Sequence, residues 1–136
     1  MVDNNTLKFT GERMVPESSA VHTFWAHIYR YRLALAFVKN KRVLDIACGE
    51  GYGTSSLRLA GAKKTIGIDI SFAACKFAYQ KYGETIIVGS GEEIPLSDNS
   101  VDLLISFETI EHLNRPLKFF KGNQTSSFSK RHINYF

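Results

Sequence analysis

The sequence is poor in the residues that build metal and redox centres. Its two cysteines, Cys48 and Cys75, lie far apart and match no Cys-x-x-Cys spacing. Its four histidines, His22, His27, His112 and His132, form neither a His-x-x-x-His nor a His-Glu-x-x-His pair, so no metal site is expected. Long apolar runs are missing too. No stretch approaches the ~20 residues that a membrane-spanning helix needs, and the opening Met1-Val2-Asp3-Asn4-Asn5 lacks a secretory pattern. A cytoplasmic address is the default expectation. There is no internal repeat. The net charge is +4, with basic residues scattered in small groups such as Lys39, Lys41, Arg42 and Lys63-Lys64. That distribution reads as solvated surface, and no nucleic-acid partner is expected. Acids are absent from the last 15 residues, although Lys130 and Arg131 are there.

What is present suits one domain. With 136 residues, 44% hydrophobic and 22% charged, the chain is ordinary for a soluble protein and long enough to bury about two-thirds of its unfolded surface. After a polar arm to about Ser19, Phe24, Ile28, Tyr31, Leu35 and Val38 recur at helical spacing. They predict an amphipathic helix over Val21 to Lys39. Arg42-Val43-Leu44-Asp45-Ile46-Ala47 lacks clean alternation, the pattern of a buried parallel strand. Thr54 to Ala60 should follow as a helix, with Thr54 as N-cap and Gly61 as its stop. The pattern then repeats. Thr65-Ile66-Gly67-Ile68-Asp69 reads as a second strand, and Ser71 can cap a helix to Tyr82 that Gly83 ends. Thr85 to Val88 reads as a third strand. The turn Ser97-Asp98-Asn99-Ser100 leads into a fourth, Val101 to Ser106. Strands alternating with helices imply right-handed crossovers and an α/β class, a parallel sheet with helices on both faces.

In such sheets, ligands bind at the carboxyl ends of the strands. Gly49, Gly51 and Gly53 follow the first strand and allow backbone to approach a ligand closely. Asp69 ends the second strand, where a carboxylate can accept both hydroxyls of a ribose; capping the next helix is the plainer alternative. Ser90-Gly91-Glu92 follows the third strand and could face an adenine edge. These features alone also fit a dinucleotide site. The dinucleotide fingerprint starting at Gly49, however, requires glycine where Thr54 stands. Charge argues the same way. Glu50 in the loop and Asp45 before it repel a pyrophosphate and attract an ammonium or sulfonium group. S-adenosylmethionine carries ribose, adenine and such cations without phosphate. Glu50 also admits a plain reading as a solvated turn residue.

Four segments carry a family resemblance. Val43-Leu44-Asp45-Ile46-Ala47-Cys48-Gly49-Glu50-Gly51-Tyr52-Gly53 resembles the first motif of class I S-adenosylmethionine-dependent methyltransferases, of the bacterial type 11-like kind. Ile68-Asp69-Ile70-Ser71 resembles the second. Gly89 to Leu96 through Asn99-Ser100-Val101-Asp102 resembles the third, and Ser106-Phe107-Glu108-Thr109-Ile110-Glu111-His112 the fourth. Phe9-Thr10-Gly11-Glu12-Arg13 and His27-Ile28-Tyr29-Arg30-Tyr31 are similar to a bacterial branch linked to cell-surface polysaccharide pathways. The resemblance implies a Rossmann-like fold and S-adenosylmethionine as cofactor. It places the methionine part at Asp45 and the loop Ala47, Cys48, Gly49, Glu50 and Gly51, and the ribose at Asp69. Ile70 would pack on adenine, with Ser90, Gly91 and Glu92 at its polar edge, and Phe107 would close the pocket beside the sulfonium. Tyr31 and Trp25 read as core or interface aromatics. His112, with an unperturbed pKa of about 6.5, is the candidate general base, with a structural helix-end role as its alternative. Methyl transfer asks mainly for alignment and an apolar pocket.

The resemblance runs from about residue 8 to 121 and divides the chain into an arm and capping helix (1–40), a cofactor-binding core (41–121) without the family's C-terminal strands, and a non-family tail (122–136). The tail has no helical apolar stripe and many turn formers. A shifted reading frame near Lys121 is one expectation: permitted codons for Gly122 to Phe128, read one base later, spell Glu-Ile-Lys-Arg-Leu-Leu. Without a fifth strand, the fourth would present an apolar edge open to pairing with another chain. Two functions follow. One is methyl transfer to a small-molecule or saccharide-type acceptor by a truncated enzyme. The other is a non-catalytic cofactor-binding remnant or partner subunit. Thr54 and Glu50 disfavour a third, an NAD-dependent oxidoreductase.

Overall fold

A computed structural model describes residues 21–97 and 99–107. The N-terminal arm, His112 and the tail 122–136 lie outside the described residues. The elements in chain order are α1 (Val21–Leu35), β1 (Arg42–Ile46), α2 (Tyr52–Leu59), β2 (Lys64–Asp69), α3 (Phe72–Tyr82), β3 (Ile86–Val88) and β4 (Leu103–Ser106). The four strands form one parallel sheet in the order β3-β2-β1-β4. The chain steps outward from β1 to β3 and then crosses back to lay β4 on the other side of β1. Strand order therefore reverses at β1, which makes its carboxyl end the place for a ligand. No helix among the described residues is long and apolar enough to cross a membrane.

Successive side chains on a strand point to opposite faces, and β1 sorts its residues accordingly. Val43 joins Tyr31, Ala34, Val38, Leu57, Leu103, Ile105 and Phe107 in one core beneath α1 and α2. Leu44 and Ile46 join Ile66, Ile68, Val101 and Leu104 in a second core on the far face, where Ile87, Ile94 and Leu96 pack against them. Helices were expected on both faces. Among the described residues no helix covers this second face, and the segment between β3 and β4 packs there instead. Asp45 shares the Val43 face and so points toward the helices.

The element ends differ in places from the sequence expectation. α1 stops at Leu35 instead of reaching Lys39. The chain turns through Phe37 N–H to Ala34 O at 3.0 Å and Lys41 N–H to Val38 O at 2.9 Å, which still delivers Val38 to the core. Asn40 takes φ 61° and donates to Gly61 O at 2.9 Å, stitching this turn to the one after α2. α3 begins and ends as expected, with Ser71 Oγ accepting from Ala74 N–H at 3.3 Å and a left-handed Gly83 donating to Tyr79 O at 2.9 Å. α2 is the correction. It starts at Tyr52 behind a left-handed Gly51 at φ 77°, with no side-chain cap, so Thr54 is not the N-cap but lies within the first turn.

At the amino ends of β1 and β4, Asp102 accepts from Arg42 N–H, Nε and Nη2 at 2.9, 3.0 and 2.7 Å. Those hydrogen bonds hold its carboxyl down to about 2. The pair pins the strand register at the end of the sheet away from the glycine loop.

One packing contact ties α1 to α2. A Cβ on Gly53 would lie 1.9 Å from Tyr31 Cζ and 2.1 Å from Cε1, distances no pair of carbon atoms tolerates. In an ordinary helix, replacing Gly by Ala stabilises by up to about 1 kcal/mol. Here Gly53→Ala is expected to destabilise by on the order of 1–3 kcal/mol through overpacking. Urea denaturation of both chains checks the sign, and a stabilised variant would contradict the packing.

Candidate functional site

The carboxyl ends of β1 and β2 lie side by side, with Ile46 paired to Ile68, and the loop after β1 folds back over them. Ala47, Gly49 and Gly51 take left-handed φ of 56, 55 and 77°. Glycine adopts this conformation freely, whereas Ala47 holds it at a cost of roughly 1 kcal/mol. Three hydrogen bonds fix the reversal: Cys48 N–H to Ile68 O at 3.0 Å, Gly51 N–H to Cys48 O at 3.1 Å, and Gly49 N–H to Asp69 Oδ2 at 2.8 Å. Gly51 also lies so close to α3 that a Cβ would fall 2.5 Å from Ala78 Cβ.

Asp69 is thereby drawn into the loop. Its second oxygen accepts from Ser71 N–H at 2.8 Å. The helix cap proper is Ser71, so Asp69 is a bridge between the loop and the start of α3. Two hydrogen bonds leave acceptor capacity on a half-buried carboxylate. Beside it, Ile70 is 79% exposed. Gly89 N–H donates to Asp69 O at 2.9 Å, bringing the segment after β3 alongside. There Ser90 Oγ accepts from Glu92 N–H at 3.1 Å and Ser90 O from Glu93 N–H at 3.2 Å, so Ser90, Gly91 and Glu92 form a tight, half-buried turn. Sequence reasoning placed these residues at one end of the sheet, and the structure brings them there.

Asp45 lies deeper, at 1% exposure. Tyr31 Oη donates to both of its oxygens, at 3.0 and 3.1 Å, and Thr54 Oγ1 donates to Oδ2 at 2.7 Å. Burial pushes this carboxyl up to about 7, against the pull of the Thr54 and Tyr31 hydrogen bonds and with a further push from the charge of Asp69. Burial also raises the Tyr31 phenol and the Cys48 thiol, so Cys48 stays protonated and acts as a packing group. Glu50 is 2% exposed, which corrects the solvated-turn alternative: the loop folds its acid inward. Phe107, at 7% exposure, belongs to the core, with its ring edge-on to Tyr31 at 5.0 Å. His112 lies outside the described residues.

Sequence reasoning did not place Tyr31 and Thr54 on Asp45, nor Gly53 against the Tyr31 ring. Tyr31 reads as a core aromatic, Thr54 as a cap and Gly53 as one more loop glycine. A signal was present: a tyrosine in the middle of a buried helical stripe needs a partner for its hydroxyl, and Asp45 stands on the adjoining strand.

Residues 44–123, more than half of the chain, match the model of a methyltransferase domain family. A Mycolicibacterium smegmatis protein named "probable S-adenosylmethionine-dependent methyltransferase" is 35% identical over 112 residues, 80% of this chain and 43% of its own length. A Mycobacterium ulcerans protein named for phthiotriol/phenolphthiotriol dimycocerosates methylation is 31% identical over 86 residues, 60% of this chain and 33% of its own. In fold, the crystal structure of an S-adenosylmethionine-dependent methyltransferase from Mesorhizobium loti superposes with a TM-score of 0.69 at 21% identity, over 81% of this chain and 52% of that one. A parallel α/β sheet whose strand order reverses beside a glycine loop thus defines the class. The chain belongs to the methyltransferase domain family, whose cofactor is S-adenosylmethionine, and spans less than half the length of the curated relatives it matches.

The position of Asp45 makes a prediction about stability. Its folded carboxyl is raised to about 7 from an ordinary 3.8, so the folded state holds its proton more tightly than the unfolded chain. The stability this contributes is full below about pH 4 and is lost as pH rises toward 7, a loss on the order of 4 kcal/mol. Asp45→Asn removes that slope. The difference in unfolding free energy between wild type and variant is therefore expected to change sharply between pH 4 and 8, and a flat difference would place Asp45 at its ordinary value.

Proposed function

We propose that this chain binds S-adenosylmethionine over the loop Asp45 to Gly53 and serves methyl transfer to a small-molecule acceptor. One observation carries the reading: the anion-binding face of the glycine loop is already engaged by an internal carboxylate, Asp69 on Gly49 N–H. In a dinucleotide site that backbone faces a pyrophosphate at a helix N-terminus. Here two further acids, Asp45 and Glu50, lie buried in the strand end and loop, an environment that repels phosphate and favours a cation. The residues fit the cofactor. Remaining lone pairs on Asp69 suit ribose hydroxyls, exposed Ile70 offers an apolar plate for adenine, and the Ser90 to Glu92 turn supplies polar backbone at its edge.

When bound, the cofactor supplies an electrophilic methyl group on its sulfonium for direct displacement by the acceptor's nucleophile. The chain's own part is alignment and charge. Asp69 holds the loop and α3 in register, Gly49 and Gly51 let backbone approach, and Asp45 lies beneath as a fixed acid. His112 remains the candidate base. For the acceptor we favour a lipid-like or saccharide-type small molecule over a nucleic acid. The basic residues are scattered, and one relative, from Mycolicibacterium smegmatis, is named fatty-acid O-methyltransferase. Another relative, named tRNA U34 carboxymethyltransferase, marks the competing class. We further propose that β4, an edge strand among the described residues, pairs with another chain.

Calorimetry with S-adenosylmethionine, S-adenosylhomocysteine and NAD tests the reading. Both adenosyl ligands are expected to bind, and binding of NAD alone would overturn it. Asp69→Asn is expected to weaken S-adenosylmethionine by about tenfold or more, since a charge-assisted hydrogen bond contributes roughly 1.5–3 kcal/mol. Radiolabelled methyl transfer to lipid, saccharide and RNA fractions then separates the acceptor classes.

A further inference from the structure

Three hydrogen bonds converge on a carboxylate that has almost no contact with solvent. Both donors come from helices, Tyr31 from α1 and Thr54 from α2, and β1 brings the acid between them. Hydroxyl donors of this kind fix a carboxylate in place and favour its ionised form against the cost of burial. The Tyr31 ring is held equally firmly. His27, Tyr52 and Phe107 surround it with centroid distances of 5.1, 6.2 and 5.0 Å, and Gly53 leaves the space through which it reaches Asp45. A core tyrosine needs no such aim, because packing alone would accept phenylalanine.

We propose that Tyr31, together with Thr54, is a positioning residue for the cofactor: their hydroxyls fix the Asp45 carboxyl beneath the glycine loop and favour its ionised form against burial, so that a cationic ligand meets negative charge behind the loop. The inference rests on the reading of the loop as a sulfonium-cofactor site and adds the device that sets its charge. The groups acting on Asp45 come from every neighbouring element. Tyr31 on α1 and Thr54 on α2 favour ionisation, and the charge of Asp69 at the end of β2 opposes it. Cys48 in the loop is held as a neutral thiol. Ile105 on β4 pairs with Asp45, Phe107 just after β4 packs against Tyr31, and neither titrates.

The test follows the Asp45 carboxyl by carbon NMR and S-adenosylmethionine binding by calorimetry from pH 6 to 9, in wild type, Tyr31→Phe and Thr54→Val. Phenylalanine keeps the ring and its neighbours and loses only the donor. The Asp45 midpoint is expected to move up from about 7 by about one pH unit or more. Affinity should fall several-fold at pH 7 and return toward wild type at pH 9. The ligand's own titration is common to all three chains and cancels in the comparison. A loss of affinity equal at every pH, with an unmoved midpoint, would make Tyr31 a packing residue and overturn the proposal. Thr54→Val is expected to shift the midpoint in the same direction and decides the matter if Tyr31→Phe does not fold. Failure of wild type to bind S-adenosylmethionine at any pH would overturn the functional reading and this inference together, whereas binding with unmoved midpoints in both variants overturns the inference alone.

Discussion

Asp45 stands at the end of the central strand, sealed from solvent, and its carboxylate must be satisfied by whatever packs over it. Leaving such a group unpaired costs several kcal/mol, so the two helices above the sheet are arranged to supply donors. Tyr31 reaches down from α1 and Thr54 turns inward from the first turn of α2. Much else follows from that demand. Gly53 must be bare so that the Tyr31 ring can lie across it. α2 must start at Tyr52, ahead of Thr54, and its N-terminus is then formed by a left-handed Gly51 instead of a capping hydroxyl. The acid at the end of β1 is thus also the acid that orients the helices.

The loop itself is closed by a second carboxylate. Asp69 joins Gly49 to Ser71 and so couples the ends of β1 and β2 with the start of α3. An internal anion on the backbone N–H groups leaves the site electrostatically inverted relative to a phosphate cradle. Acids beneath and beside a glycine turn favour a ligand that brings positive charge and a ribose. This is the physical sense in which the family's cofactor and the local geometry agree.

Around this centre the two faces of the sheet are covered differently. The helices pack over Val43, Leu103 and Ile105, and the crossing from β3 to β4 packs over Leu44, Ile68 and Leu104. That crossing reverses the strand order at β1. Because the glycine loop leaves β1 at the point of reversal, the segments after three strands meet beside it, Asp69 on Gly49 N–H and Gly89 N–H on Asp69 O.

The strands, their parallel arrangement, the capping of α3 by Ser71 and Gly83, and the grouping of Asp45, Gly49, Asp69 and Ser90 at one end of the sheet were all legible in the sequence. They depend on local pattern: apolar runs, turn formers and spacing along the chain. What the sequence left open depends on partners distant along the chain. Nothing local distinguishes Thr54 as a cap from Thr54 as a donor to Asp45, since the choice turns on where β1 lies relative to α2. Tyr31 looks like any buried aromatic until the strand places an acid 3.0 Å from its hydroxyl. Glu50 admits both a ligand-facing and a solvated reading until the loop folds it inward. The sequence by itself determined the class of fold and the kind of ligand, because periodicity and charge are written residue by residue. Only the tertiary structure decided which hydroxyls hold the central acid, because desolvation and hydrogen bonding exist only once the helices have packed onto the sheet.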